Sequence, residues 1–165
     1  MTKKHLFIIL SILAFLVIFS FVYYKINSVV DEDNVIETTE VNVYFSNSIL
    51  DPEVSCSKVF PVKRKVVKTE AIGKATLTEL FKGPSDEEKS KGYFSSINPG
   101  VVVQSLSIAD GIARADFNQA LEFQVGGSCR VSAIRWEITE TLKQFPTIKD
   151  VVISIDGRTE DILQP

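Results

Sequence analysis

The hydrophobic pattern begins with one long apolar run near the N-terminus. Residues Leu6 to Tyr24 include no charged side chain. As a helix, this run would span about 28 Å, which is close to the hydrocarbon thickness of a bilayer. It therefore predicts a transmembrane anchor over residues 6–24. A cleaved signal peptide is the alternative, because it too begins with basic residues and an apolar run.

The charges on either side of this run predict its orientation. Lys3 and Lys4 precede the run, and acidic residues follow it at positions 31–33. Basic flanks stay in the cytoplasm, so we expect residues 1–5 inside and the C-terminal domain outside the cytoplasm. Residues 25–40 are polar and acidic without apolar periodicity, which predicts a flexible tether before a domain at residues 41–165.

Five segments of this domain have the pattern of β-strands. They are Val41–Phe45, Val59–Val67, Val101–Ala109, Ile112–Phe117 and Val151–Ile155. The first alternates apolar and polar residues with the period of two that a half-buried strand requires. The second contains Pro61, which lacks the amide that a central strand needs, so we expect this strand to lie near a sheet edge or to begin after the proline. Between the third and the fourth, Asp110-Gly111 favours a tight hairpin turn.

Two further segments have the spacing of amphipathic helices. The first, Ile72–Phe81, is ended by Gly83-Pro84, and Ser85 to Glu88 then predicts a short capped turn. The second begins near Ser128 and ends at Pro146. Its apolar stripe consists of Val131, Ile134, Ile138, Leu142 and Phe145. The order ββαββαβ predicts an α+β fold, with a single compact domain in which a mixed or antiparallel sheet packs against two helices, preceded by one N-terminal transmembrane helix.

Composition and charge narrow the classes of function. The domain has nearly equal numbers of basic and acidic side chains, so bulk attraction to nucleic acid is not indicated. Its densest basic run is Lys63, Arg64, Lys65 and Lys68. This run fits a solvated strand edge better than the alternative, a binding patch. The one histidine, His5, precedes the predicted anchor, which removes histidine-based triads and histidine metal sites from the domain.

Catalytic, cofactor-binding and metal-binding residues are therefore not predicted, and the protein is expected not to be an enzyme. A carboxylate-dependent envelope hydrolase is the remote alternative, because glycosidases need only two acids. Asp86, Glu87 and Glu88 lie in the first turn of a predicted helix, where acidic side chains interact favourably with the helix dipole without any catalysis.

Cys56 and Cys129 are the two cysteines of the chain. Paired thiols tend to be oxidised outside the cytoplasm, so a disulfide between them is predicted. Metal ligation and redox chemistry are the alternatives. Neither a CxxC spacing nor a histidine in the domain supports them.

Three aromatic residues are the candidate interaction surface. Trp136 falls beside the apolar stripe of the second helix, and Tyr93 and Phe94 follow the short capped turn. Large aromatic side chains are common both in cores and at interfaces. Each of the three therefore either lies on the flank of the core or contacts a partner.

At many of these residues the chain resembles the GerMN domain family, first recognised in a sporulation and spore germination lipoprotein and found in bacterial envelope proteins. The matching segments are Val41–Phe45, Pro61–Arg64, Leu80–Pro84, Glu88–Tyr93, Asp110-Gly111, Ala115–Phe117, Gly127–Cys129, Thr141–Pro146 and Val151–Gly157. No single motif is diagnostic, but their order and spacing together are specific. The resemblance covers nearly all of residues 41–165.

The resemblance implies a noncatalytic domain on the outer side of a bacterial cytoplasmic membrane, which acts as a scaffold or adaptor in the assembly of an envelope protein complex. It supplies no catalytic residues. The expected partners are the membrane and an envelope protein, with self-association as a further expectation and no nucleic acid. The chain has one such domain where the founding protein has two, so ring formation is not expected. A module that binds a cell-wall glycan or a small ligand is the alternative.

Overall fold

The computed structural model describes residues 3–30 and 36–164, and it divides into two units between Ile36 and Glu37. The first unit contains helix α1, Lys3–Val30. Among the residues whose side chains are described, no helix is both long enough and apolar enough to cross a membrane. The side chains of residues 6–10, where the predicted anchor begins, lie outside that part of the chain. The anchor over residues 6–24 therefore stays a prediction.

The second unit is an α+β domain, as the sequence predicts. Its elements are β1 (Thr38–Asn47), β2 (Phe60–Val67), α2 (Ile72–Leu80), α3 (Asp86–Ser90), β3 (Tyr93–Phe94), β4 (Val103–Ala109), β5 (Ile112–Phe117), a 3-10 turn (Gln119–Leu121), α4 (Ser128–Lys143) and β6 (Asp150–Ile155). The predicted strands and the two predicted long helices are all present; β5 has the predicted bounds, and the others have shifted ends. The predicted capping box is also present, because Ser85 N donates to Glu88 Oε2 and Glu88 N donates to Ser85 Oγ.

The first sheet has the strand order β2-β1-β3, and both pairings are antiparallel. Strand β2 lies at its edge, as Pro61 led us to expect. Thr38 to Glu40 pair with Lys65 to Val67, so β1 begins earlier than predicted. The predicted tether over residues 25–40 is therefore wrong at both ends, because residues 38–40 are strand and residues 25–30 belong to α1. Its residues 31–35 lie outside the described residues.

The second sheet has the order β4-β5-β6, with β4 antiparallel and β6 parallel to β5. The turn between β4 and β5 is the predicted hairpin, since Asp110 and Gly111 have φ values of 53° and 78°, as a tight turn of this kind requires. The prediction of one sheet is wrong, because the strands form two sheets. Strands β1 and β2 do not pair with β4, β5 or β6, and the two residues of β3 are the part of the later chain that pairs with β1.

A row of side chains on α4 and on the residue that caps its C-terminus, Gln144, explains why the first sheet ends where it does. Gln144 Oε1 accepts from Asn42 N at 2.8 Å, and Thr141 Oγ1 accepts from Tyr44 N at 3.0 Å. Glu137 continues this row one turn earlier along the helix. We call these three residues the α4 polar row. They satisfy backbone groups on the side of β1 that β2 does not occupy, where another strand would otherwise pair.

One hydrophobic core joins the two sheets. Helix α2 contacts β1, β2 and β4, and α4 contacts β1 and β6, so each helix packs on strands of both sheets. The apolar stripe predicted for α4 is confirmed, since its first four residues are buried and Phe145 is half-buried. Phe81 packs edge-on against Phe117, with ring centroids 5.7 Å apart.

Candidate functional site

The segment between β1 and β2, residues 48–59, is tied to the start of α4 by a disulfide. Cys56 is bonded to Cys129, with 5.0 Å between their Cα atoms, which confirms the predicted pairing. We call residues 48–59 the disulfide loop. Over the part of the chain that the structure describes, no three His, Cys, Asp or Glu side chains come close enough to hold a metal ion.

Hydrogen bonds fix the rest of the disulfide loop. Asn47 Oδ1 accepts from Ile49 N at 2.8 Å and from Leu50 N at 2.9 Å. Asp51 Oδ2 accepts from both the hydroxyl and the amide of Ser55 at 2.7 Å. These two hydrogen bonds hold the pKa of Asp51 below its ordinary value, so it remains an anion. The loop therefore has a defined shape, held at its start, in its middle and at Cys56.

The disulfide loop presents apolar side chains to solvent. Ile49, Leu50 and Val54 are 65%, 55% and 49% exposed, respectively, and Phe94 of β3 is 37% exposed. Val54 and Phe94 line the same cavity. Ile49 packs over Gly92, where a Cβ would lie only 2.8 Å from Ile49 Cγ1. These four residues form what we call the loop surface.

A cavity of about 330 Å³ opens beside the loop surface. Its apolar wall consists of Val54, Phe94, Ala133 and the disulfide, and Lys58 and Arg130 supply cationic groups. Lys58 Nζ lies 3.5 Å from Asp51 Oδ1, so part of this positive charge is already paired. The cavity can hold a side chain or a small organic group with an apolar part and an anionic part.

Behind this cavity lies a fully buried acid, Glu137. Its carboxyl group accepts from Ser95 Oγ at 2.6 Å, from Ser96 N at 3.0 Å and from Ser46 Oγ at 3.4 Å. Burial raises the pKa of Glu137 to about 7, although these hydrogen bonds oppose the shift. Glu137 thereby joins β1 to the segment that follows β3, at the point where the two strands separate.

Sequence reasoning missed both Glu137 and Arg130. Glu137, Thr141 and Gln144 recur at steps of four and three next to the apolar stripe, which is the signal that could have identified a buried polar row. Nothing comparable distinguishes Arg130 from other basic residues, because its role depends on loops that are distant in sequence.

The structure separates the three predicted aromatic residues. Phe94 lines the cavity together with both cysteines, and Tyr93 is half-buried against the core. Trp136 is 39% exposed on α4 and does not line this cavity. That any of them contacts a partner stays a prediction.

The basic run of Lys63, Arg64, Lys65 and Lys68, on β2 and just after it, is largely neutralised by acidic partners. Lys63 pairs with Glu40 at 2.8 Å and Lys68 pairs with Glu37 at 2.9 Å. Arg64 donates to both carboxylate oxygens of Glu88, at 2.5 and 2.6 Å. This hydrogen bonding is the main reason why the pKa of Glu88 lies below its ordinary value. These ion pairs favour the interpretation of the basic run as a solvated strand edge over the alternative, a binding patch.

Replacing Arg64 with alanine should destabilise the domain. Its pair with Glu88 is shielded from water, with 17% and 16% of the two side chains exposed. We expect Arg64→Ala to lower the free energy of unfolding by about 2 kcal/mol, because a charged hydrogen bond is lost and Glu88 is left without its partner. Urea denaturation measures this difference.

Lys68→Ala is the matched control, because Lys68 and Glu37 are both mostly exposed. An exposed pair contributes little, so we expect a change below about 0.5 kcal/mol. Equal losses in the two variants would contradict the distinction between the shielded pair and the exposed pair.

Comparison with known proteins agrees with this fold. The family model named Germane, described as sporulation and spore germination, matches residues 42–161. The tandem GerMN domains of the sporulation protein GerM from Bacillus subtilis are 24% identical, with a TM-score of 0.58, over 76% of this chain and 42% of that chain. The present chain thus spans less than half of the tandem structure.

Two further solved structures are similar. The first GerMN domain of Bacillus subtilis GerM is 22% identical over 73% of this chain and 85% of that chain, with a TM-score of 0.57. A candidate lipoprotein from Clostridium perfringens is 17% identical over 80% of this chain and 84% of that chain, with a TM-score of 0.50. No curated protein sequence matches the chain. Since the Germane model covers most of the chain, this protein belongs to the Germane family of GerMN domains, whose description is sporulation and spore germination.

Proposed function

We propose that this chain is a noncatalytic domain of the cell envelope, anchored to the membrane, which acts as a scaffold or adaptor in the assembly of a protein complex. The loop surface is the observation that carries the proposal. Ile49, Leu50 and Val54 are exposed apolar residues of one loop, and Val54 lines a cavity together with the exposed Phe94. Exposed apolar side chains that lie close together often mark contacts between proteins.

The fixed shape of the disulfide loop also supports this function. A flexible loop loses conformational entropy when a partner orders it, and this loss weakens binding. The disulfide, Asn47 and Asp51 already hold the loop in one arrangement. The loop surface can therefore bind a partner with little further ordering.

The proposed anchor rests on the uncharged run over residues 6–24 and on the charges that flank it. An anchor would confine the domain to a thin layer outside the cytoplasmic membrane and would raise its effective concentration toward membrane neighbours. Weak contacts could then be sufficient for assembly. A role in sporulation or germination is proposed from the family description and from the likeness to GerM.

Photocrosslinking from the loop surface tests the proposal. A photoreactive amino acid placed at Val54 of the full chain in living cells is expected to crosslink to a defined envelope protein. Ile108 on β4 is the matched control, because both side chains are 49% exposed but Ile108 belongs to the other sheet. We expect at least about ten-fold less of the same product from Ile108.

The crosslinked product should fractionate with membranes. A product found only in the soluble fraction would contradict the proposed anchor. Crosslinks from Val54 to lipid or cell wall without any protein would contradict the scaffold or adaptor function.

A further inference from the structure

Arg130 carries a positive charge that the described residues do not neutralise. Its Nε donates to Ser96 O at 3.3 Å, its Nη1 to Gln124 O at 3.2 Å and its Nη2 to Asn98 Oδ1 at 2.6 Å. All three acceptors are uncharged. The ion pairs of the described residues do not include Arg130. The first turn of its own helix contains no acidic residue.

These three hydrogen bonds also fix the guanidinium group in one orientation. A guanidinium has five N–H groups, so one remains on each of Nη1 and Nη2. Two such donors can bind both oxygens of a carboxylate in parallel. Arg64, another half-buried arginine of this domain, already binds Glu88 in this way. Arg130 can bind a carboxylate in the same way, but no acidic side chain among the described residues pairs with it.

Arg130 also lies between two hollows of the surface. On one side is the cavity of about 330 Å³ with Val54 and Phe94 in its wall. On the other is a cavity of about 370 Å³ with Pro99, Ala120 and Phe123 in its wall. Phe123 is 63% exposed, although it is a large aromatic side chain. One unneutralised cation is therefore flanked by two hollows with apolar walls.

We infer that Arg130, with the two cavities beside it, binds an extended segment of a partner protein in which an acidic side chain is flanked by apolar side chains. The inference rests on the proposed scaffold or adaptor function and names the partner chemistry for it. The carboxylate would pair with Arg130, and the apolar neighbours would enter the two cavities. Lys58, which is mostly exposed, adds a second cation, while the anionic charge of Asp51 is held by Ser55 and Lys58.

An extended peptide fits this arrangement better than a polyanion does. The domain as a whole is nearly neutral, so a nucleic acid would meet no broad basic surface. Two separate apolar hollows on either side of one cation match alternate side chains along an extended chain, which advances about 3.3 Å per residue. Apolar anchors in pockets supply most of the affinity in such interfaces, and the charge pair supplies orientation.

A peptide array tests the inference. The probes are nine-residue peptides with a central Glu and with Leu or Phe two positions away on both sides, in a background of Ala and Ser. A second set has Gln instead of Glu. The purified full chain in detergent micelles is expected to bind the best Glu peptides at least about ten-fold more tightly than their Gln counterparts, because a charged bidentate pair is lost in the Gln set.

Two variants and one control assign this binding to the site. Arg130→Gln should abolish the preference for Glu. Phe123→Ser should weaken binding of the Glu peptides at least about five-fold and keep the preference, since it removes an exposed apolar contact and leaves the charge pair. Because Phe123 is exposed, this variant is expected to fold even if Arg130→Gln does not. Ile108→Ser, an exposed residue on β4, should change neither property.

Equal binding of the Glu and Gln sets by the native chain would overturn the inference, as would a Glu preference that persists in Arg130→Gln. Peptidoglycan fragments that bind the native chain and not Arg130→Gln, with no peptide bound, would assign the site to a glycan instead. If the peptides fail while photocrosslinking at Val54 still yields a protein, the proposed function stands and only this inference is wrong.

Discussion

Removing the disulfide by replacing both Cys56 and Cys129 with alanine should lower the free energy of unfolding by about 4 kcal/mol. The bridge closes a loop of 73 residues, and in the chain-entropy model it restricts the unfolded chain by that amount. Domains of this size are stable by only about 5–15 kcal/mol, so the loss is a large fraction of the total. Urea denaturation of the oxidised native protein and of the double variant measures the difference.

Reduction provides an internal control for this prediction. The native protein in excess dithiothreitol should unfold at the same urea concentration as the double variant, because both then lack the bridge. A double variant within about 1 kcal/mol of the oxidised protein would contradict the prediction. Such a result would mean that strain in the folded state or residual structure in the unfolded chain offsets the entropic restriction.

The second large effect concerns Glu137 and the dependence of stability on pH. Its pKa is about 7 in the folded state and near the ordinary value of 4.5 when the chain is unfolded. Between these values the folded protein keeps a proton that the unfolded chain releases. The contribution of Glu137 to stability therefore falls as the pH rises from 4.5 to 7, by about 3 kcal/mol in total, and is constant above that range.

Glu137→Gln should remove this dependence, because an amide stays neutral. The amide oxygen can still accept from Ser96 N, and the Ser95 hydroxyl can rotate to accept from the amide nitrogen. We expect the variant to be close to the native protein in stability at pH 4 and up to about 3 kcal/mol more stable at pH 8. Denaturation at several pH values, reported as the difference between variant and native protein, measures this effect.

Glu140→Gln is the matched control, because it makes the same change on the same helix at a residue that is only partly buried. It should leave the pH dependence nearly unchanged. If the difference between Glu137→Gln and the native protein is the same at pH 4 and pH 8, the raised pKa of Glu137 is refuted.

Most of the elements could be predicted from the sequence because their signals are local. The alternation around Val43, the turn residues Asp110 and Gly111, and the stripe through Ile134 and Ile138 each depend on residues close together in the chain. The structure confirms each of them. The disulfide could be predicted for another reason, since the chain has two cysteines, which allow only one intramolecular pair, and the predicted location outside the cytoplasm favours its oxidation.

The division into two sheets could not be predicted, because it depends on contacts between distant segments. Thr141 accepts a hydrogen bond from the backbone amide of Tyr44, 97 residues earlier in the chain, and Gln144 accepts one from the amide of Asn42, 102 residues earlier. These bonds occupy the edge of β1. Strand β3 contains two residues, which is too short to show any period. The same limit applies to Arg130, because two of its three acceptors, Ser96 O and Asn98 Oδ1, lie 34 and 32 residues earlier in the chain.

The α4 polar row also bears on how copies of this protein behave at high local concentration. A sheet with an open side can recruit strands from other molecules and grow toward fibrils. Here an incoming strand would have to displace a helix whose side chains already occupy the backbone of β1. On the opposite side, β2 carries Lys65, which no ion pair of the described residues neutralises and which disfavours the approach of a second basic strand. The first sheet is thus protected from edge-to-edge pairing by a helix on one side and by charge on the other.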